Sequence, residues 1–134
     1  MSATIAVIED DRDILELVCE VLEADGYRAA GFTSPDLAAI IDAVPEASVF
    51  LIDLMLPGTT GVELASRLRR SAFPHTPMIA MSASRLMLEV AGSSGIFDEL
   101  VAKPFNLSTL LQHIERHAQG DRRSSLAPPE TAAS

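Results

Sequence analysis

Four apolar stretches of this chain each run into a polar group suited to one chemistry. Thr4–Ile8 leads into Glu9, Asp10 and Asp11, and Ser48–Ile52 leads into Asp53. Pro77–Met81 leads into Ser82, and Leu100–Ala102 leads into Lys103, the single lysine of the chain. Clustered carboxylates repel one another, which disfavours ionisation unless a cation neutralises them. A hard divalent cation with oxygen ligands is the natural partner, and an incomplete protein shell that keeps waters suits Mg²⁺. Acids, a cation, a hydroxyl and an ammonium together describe a phosphoryl-handling site. The cation and Lys103 would neutralise charge on the phosphoryl oxygens, and the Ser82 hydroxyl would donate to one of them. One carboxylate can then act as nucleophile and form an acyl phosphate. Each signal alone is weak, since an acidic run after a strand is also an ordinary preference of helix N-termini. Order and placement give the set its weight.

Such a site requires elements that bring four distant segments together. The short apolar runs, rich in β-branched residues, predict buried strands. Between them the period changes. Ile14, Val18, Val21 and Leu22 share one helix face over residues 12–25, with Cys19 as a small packed thiol, and Gly26 stops that helix. Tyr27–Phe32 predicts a weak strand, and Ser34-Pro35 predicts the start of a helix to about Ala43. Thr60 and Glu63 form a capping box for a helix through about Arg70, with Arg67, Arg69 and Arg70 on a solvated face. Residues 85–91 predict a short, weak helix broken by Gly92–Gly95. Asn106 caps a last helix carrying Leu107, Leu110, Leu111 and Ile114. The tail holds Pro128-Pro129 and no apolar period, which predicts one domain over residues 1–119 and a disordered tail over 120–134.

Five strands separated by helices predict an α/β fold, a doubly wound parallel sheet of flavodoxin-like (βα)5 topology with strand order 2-1-3-4-5. Ligands of such sheets bind at the carboxyl ends of the strands, at the switch point between strands 1 and 3. Glu9, Asp10, Asp53, Ser82 and Lys103 all fall at that edge.

Composition narrows the function. The chain has 134 residues, 19 acids against 10 bases and a net charge of −9, with 48% hydrophobic residues. Such a balance argues against direct nucleic-acid binding, which requires Lys and Arg to neutralise phosphates, and against docking on anionic lipid. One cysteine excludes a disulfide framework and a cysteine-based zinc site. No apolar stretch approaches a membrane span, and the first residues do not read as a signal peptide, so a cytoplasmic chain is expected.

The segments Val7-Ile8-Glu9-Asp10-Asp11, Leu51–Gly58, Ala80-Met81-Ser82-Ala83 and Ala102-Lys103-Pro104-Phe105 closely resemble the receiver domain of two-component response regulators. The resemblance covers residues 4 to about 118. It implies that Asp53 is the phospho-acceptor. It also implies that Asp10, Asp53 and the backbone carbonyl of Met55 hold Mg²⁺, with Glu9 acting through a metal-bound water. Ser82 resembles the switch hydroxyl and Lys103 the phosphate-pairing lysine, carried on a cis Lys103–Pro104 bond. Asp11 falls one position past the acid pair and is expected to cap the first helix. The implied partners are a histidine kinase or phosphotransfer protein and a downstream protein, with room for a dimer formed on phosphorylation. The implied role is a signalling switch and not a multiple-turnover enzyme. Two features depart from the family: Leu100 stands where an aromatic is usual, and Gly95–Glu99 does not match the usual spacing into the fifth strand.

Three other readings compete. A pseudo-receiver would act as a binding module without phosphorylation. A phosphatase with an aspartate nucleophile usually carries a second acid two residues on, where this chain has Met55. A flavin module would want a phosphate loop after the first strand, where this chain has an acidic triplet.

Overall fold

The computed structural model describes residues 2–126, with side chains described as far as Ala118. In chain order the elements are β1 (Thr4–Ile8), α1 (Arg12–Ala24), β2 (Arg28–Phe32), α2 (Leu37–Ala43), β3 (Val49–Asp53), β4 (Met55–Leu56), β5 (Thr59–Thr60), α3 (Gly61–Ser71), β6 (Met78–Ser82), α4 (Arg85–Ser94), β7 (Glu99–Ala102) and α5 (Leu107–Leu126). Five strands form a parallel sheet in the order β2-β1-β3-β6-β7. Once the two-residue β4–β5 hairpin is set aside, this is the 2-1-3-4-5 order that the sequence predicts.

Strand alternation divides the core into two layers. Ile5, Val7, Val49, Leu51, Ile79 and Met81 face α1 and α5, meeting Leu15, Val18, Leu22, Leu110 and Ile114. Ala6, Ile8, Phe50, Ile52 and Met78 face the other way, against Ile40 of α2 and Leu64, Ala65 and Leu68 of α3. Every residue of β1, β3 and β6 is buried, as expected of central parallel strands covered on both faces. Those three strands deliver Glu9, Asp53 and Ser82 to one edge, so the fully buried centre of the sheet also fixes the polar site.

Several local expectations shift. Asp36, not Ser34, caps α2, its carboxylate accepting the Ala39 N–H at 3.1 Å. Pro35 thus precedes the cap instead of occupying the first turn. Helix α4 passes through Gly92 to Ser94 and ends on Gly95 in the left-handed conformation at φ 72°. A Cβ at residue 92 would stand 3.3 Å from Leu100 Cδ1, so the glycine lets α4 lie close to β7. Arg69 is not on a solvated face. Its guanidinium donates to the carbonyls of Ile96 (2.7 Å), Thr76 (3.0 Å) and Pro74 (3.2 Å) and pairs with Asp98 at 3.5 Å. Asp98 in turn accepts the Met78 N–H at 2.9 Å, so the segment before β7 is tied to α3 and β6. Helix α5 is assigned through Leu126, past the point where the sequence places the tail. The rest of the expected tail, 127–134, lies outside the described residues.

Candidate functional site

Glu9 immediately follows β1. Its N–H donates to the Phe32 carbonyl at 2.9 Å, which extends the β1–β2 ladder by one residue and holds the side chain inward. That side chain is fully buried. Asp10 is exposed. Asp11 caps α1 as expected, accepting from the N–H groups of Asp13 (3.0 Å) and Ile14 (3.2 Å). Its own N–H donates to Glu9 Oε2 at 3.1 Å.

Asp53 closes β3 opposite Met81 of β6 and is 5% exposed. Its Oδ1 accepts the Met55 N–H at 3.1 Å, and its Oδ2 accepts from Lys103 Nζ at 3.2 Å. Lys103 donates also to Glu9 Oε1 at 2.6 Å. Its backbone N–H reaches the Ser82 carbonyl at 2.9 Å, and the Lys103–Pro104 bond is cis, as the resemblance implies. Ser82 is buried at the end of β6, its Oγ accepting the Ser84 N–H at 3.0 Å. The sheet therefore brings Glu9, Asp10, Asp53 and Lys103 into one cluster and sets Ser82 one residue beyond the partner of Asp53. Met55 follows on β4 with its side chain in solvent.

The electrostatics follow from burial. Desolvation, reinforced by the neighbouring Asp53 carboxylate, pushes the Glu9 carboxyl up to about 7, although Lys103 and the Asp11 N–H pull the other way. Burial works to lower the Lys103 ammonium, but contact with Glu9 and Asp53 outweighs it and the net shift is upward. The lysine is thus a fixed positive charge.

One carboxylate oxygen from each of Glu9, Asp10 and Asp53 lies within 4.8 Å of the others. With all three ionised, one ammonium leaves two negative charges unmatched, which is the charge of a divalent cation. The donors are all oxygen, and Asp10 opens the group to water. This set fits Mg²⁺, a hard ion that retains part of its hydration shell.

Two residues that the sequence did not single out support the cluster. A Cβ on Gly61 would collide with the Asp53 backbone and approach Leu54 Cα at 2.7 Å, so α3 starts in direct backbone contact with the site. The Gly61 N–H donates to the Leu54 carbonyl at 2.8 Å. The other residue is Arg69, which fastens the approach to β7 and so the strand that carries Lys103.

The profile of the response regulator receiver domain matches residues 5–115. The chain is 33% identical over 116 residues to the phosphate regulon transcriptional regulatory protein PhoB of Pseudomonas aeruginosa, covering 84% of this chain and 50% of that protein. It is 29% identical over 124 residues to the nisin biosynthesis regulatory protein NisR of Lactococcus lactis, covering 92% of this chain and 53% of that protein. The chain thus spans about half the length of these curated relatives. Among solved structures, the BeF3-activated DrrB receiver domain superposes with a TM-score of 0.76 at 27% identity, over 89% of this chain and 99% of that one. Among the described residues no helix is long and apolar enough to cross a membrane. With the profile spanning most of the chain and the fold and strand-end residues in place, the chain belongs to the response regulator receiver domains of two-component signalling systems.

Proposed function

We propose that this receiver domain is switched by phosphorylation of Asp53, with a histidine kinase or phosphotransfer protein in the cytoplasm as donor. The observation that carries the proposal is the Lys103 ammonium, held between Glu9 and Asp53 at 2.6 and 3.2 Å in a buried acidic cluster. A lysine so placed can pair with a phosphoryl oxygen on Asp53 as readily as with the free carboxylate.

An Asp53 oxygen attacks phosphorus, the bond to the donor nitrogen breaks, and an acyl phosphate forms. The Met55 N–H holds Oδ1 and Lys103 holds Oδ2, which orients the nucleophile. Lys103 and the Ser82 hydroxyl then receive the phosphoryl oxygens. Mg²⁺, held by Asp10, Asp53 and the Met55 carbonyl, with Glu9 acting through water, would supply charge neutralisation at those oxygens. Water later attacks the phosphorus, the bond to Asp53 breaks, inorganic phosphate leaves and the carboxylate is restored; the chain promotes this hydrolysis on itself and turns over no separate substrate. The output is a changed protein-binding surface, with dimerisation on phosphorylation as one form it can take. Absence of direct nucleic-acid contact is proposed for these 134 residues alone.

Incubation with a small phosphodonor and Mg²⁺, followed by mass mapping, tests the assignment. Label on Asp53, lost in Asp53→Asn and in EDTA and reduced in Asp10→Ala, is the expected result. Full labelling of Asp53→Asn overturns it, and a wild-type protein that takes no label favours the pseudo-receiver.

A further inference from the structure

Ser82 is joined to helix α4 by a short chain of hydrogen bonds that runs through Ser84. The Ser84 N–H donates to Ser82 Oγ at 3.0 Å, and Ser84 Oγ accepts the Met87 N–H at 3.1 Å. Ser84 is the N-cap of α4, with extended backbone at φ −97° and ψ 117°. One residue therefore holds both the hydroxyl that closes β6 and the first turn of the helix that follows. Ser82 is fully buried, so its hydroxyl cannot turn to water. The backbone around it is held on two sides. The Leu54 N–H donates to the Met81 carbonyl at 2.9 Å, and the Lys103 N–H donates to the Ser82 carbonyl at 2.9 Å. The side chain of Ser82 is the part left to respond to a change on Asp53.

We propose that Ser84 is the positioning residue that couples Ser82 to α4. This role rests on phosphorylation of Asp53 and is the route by which that event leaves the site. A hydroxyl has one proton and two lone pairs, so Ser82 can donate to a phosphoryl oxygen on Asp53 and still accept the Ser84 N–H. The donors then run in one direction, from the Ser84 N–H through the Ser82 O–H to the phosphoryl group. Each bond in such a chain polarises and strengthens the next. The Ser84 N–H is drawn after the hydroxyl. Because Ser84 Oγ caps α4, the first turn follows, and with it the exposed Leu86 and Val90. Leu100, exposed on β7, takes no part in this route.

Hydrogen exchange of the full chain in Mg²⁺, with and without beryllofluoride, tests the coupling, beside mass mapping of the label that a small phosphodonor leaves on Asp53. In the wild type the Met87 and Leu88 amides should exchange roughly threefold more slowly with beryllofluoride. Ser84→Ala keeps the N–H and loses the cap. It should label on Asp53 as the wild type does and, without beryllofluoride, exchange roughly fivefold faster over residues 85–88. Adding beryllofluoride should then change nothing there, and Ser84→Thr, which restores the cap oxygen, should recover the response. A cap that is structural alone would speed both states of Ser84→Ala equally and leave the response intact, and that result overturns the role. If Ser84→Ala fails to fold, the Ser84 amide proton of the wild type decides by NMR. A downfield shift with beryllofluoride is expected, and an unmoved proton refutes the coupling. A wild type that takes no label on Asp53 overturns the phosphorylation reading and this role with it, whereas label without a response at Ser84 overturns this role alone.

Discussion

Lys103 Nζ sits 2.6 Å from Glu9 Oε1, joining residues 94 positions apart at the heart of the site. The contact to Asp53 is longer, at 3.2 Å. In the unphosphorylated protein Glu9 is therefore the closer partner of the lysine. A phosphoryl group on Asp53 would add about −1.5 to −2 charge beside them and shift that competition. The pair also makes stability depend on pH, with a sign that burial decides.

Glu9 is raised from 4.5 to about 7. An acid raised on folding binds its proton more tightly in the native state, so stability falls as pH climbs from about 4.5 to about 7 and then levels. The shift sets an upper bound of ~3 kcal/mol on this contribution. Chemical denaturation in EDTA at pH 5.5 and pH 8 should show the loss, and Glu9→Gln should flatten it. A wild-type stability that rises across the window contradicts the assignment to Glu9.

Removing the ammonium has the complementary effect. Lys103→Ala leaves two buried carboxylates facing each other, at a cost of about 1–3 kcal/mol for lost charged hydrogen bonds. The cost should be larger at pH 8 than at pH 5.5, because Glu9 can take up a proton at the lower pH and relieve the repulsion. Denaturant midpoints at both pH values check this. An equal loss at both would mean that Lys103 stabilises by packing its stem and not by charge.

Gly61 tests how the site is braced. Gly61→Ala should destabilise the fold by about 2 kcal/mol or more, since a Cβ there meets backbone and not a side chain that can turn aside. Asp53 must shift with Leu54, so phosphorylation should slow even at temperatures where the variant is folded. A variant of wild-type stability that labels at the wild-type rate would show that α3 can back away freely.

The sequence carried the sheet and the site to different depths. Runs such as Val49–Ile52 read as buried strands because both faces are covered, and their ends therefore announced Glu9, Asp53, Ser82 and Lys103. The partners of those residues in space followed from strand order alone. Gly61 and Arg69 were not legible, because their roles are contacts with backbone that only the folded chain brings against them. A glycine at a helix start reads as an indifferent cap, and three arginines in four residues read as a wet face. Only the folded course of residues 73–76 and the packed position of Ile96 reveal that Arg69 has carbonyls to bond. The α2 boundary was missed for a smaller reason: Ser34, Pro35 and Asp36 are all good starters, and local preference does not rank them.

Arg69 also bears on how the switch travels. The departures at Leu100 and at residues 95–99 suggest that the signal runs through residues 83–99 and not through an inward aromatic. Leu100 is 41% exposed and rests over Gly92, so it covers the α4–β7 contact from outside. Within that stretch the restraints differ. Residues 96–98 are held by Arg69 and by the Asp98–Met78 bond, whereas α4, capped by Ser84, fully buries Ala91 alone and leaves Met87 and Leu88 half-buried against Leu54 and Ala80. Helix α4 is therefore the part that order–disorder or displacement costs least. Hydrogen exchange with and without beryllofluoride should show its largest change over residues 84–94, with 96–98 nearly constant. In Arg69→Ala the change should spread into 96–98, as the tie to α3 is gone. If α4 stays fixed while α1 or α5 responds, the relay does not pass through this helix, and the phosphorylation site has to be coupled to the surface by another route.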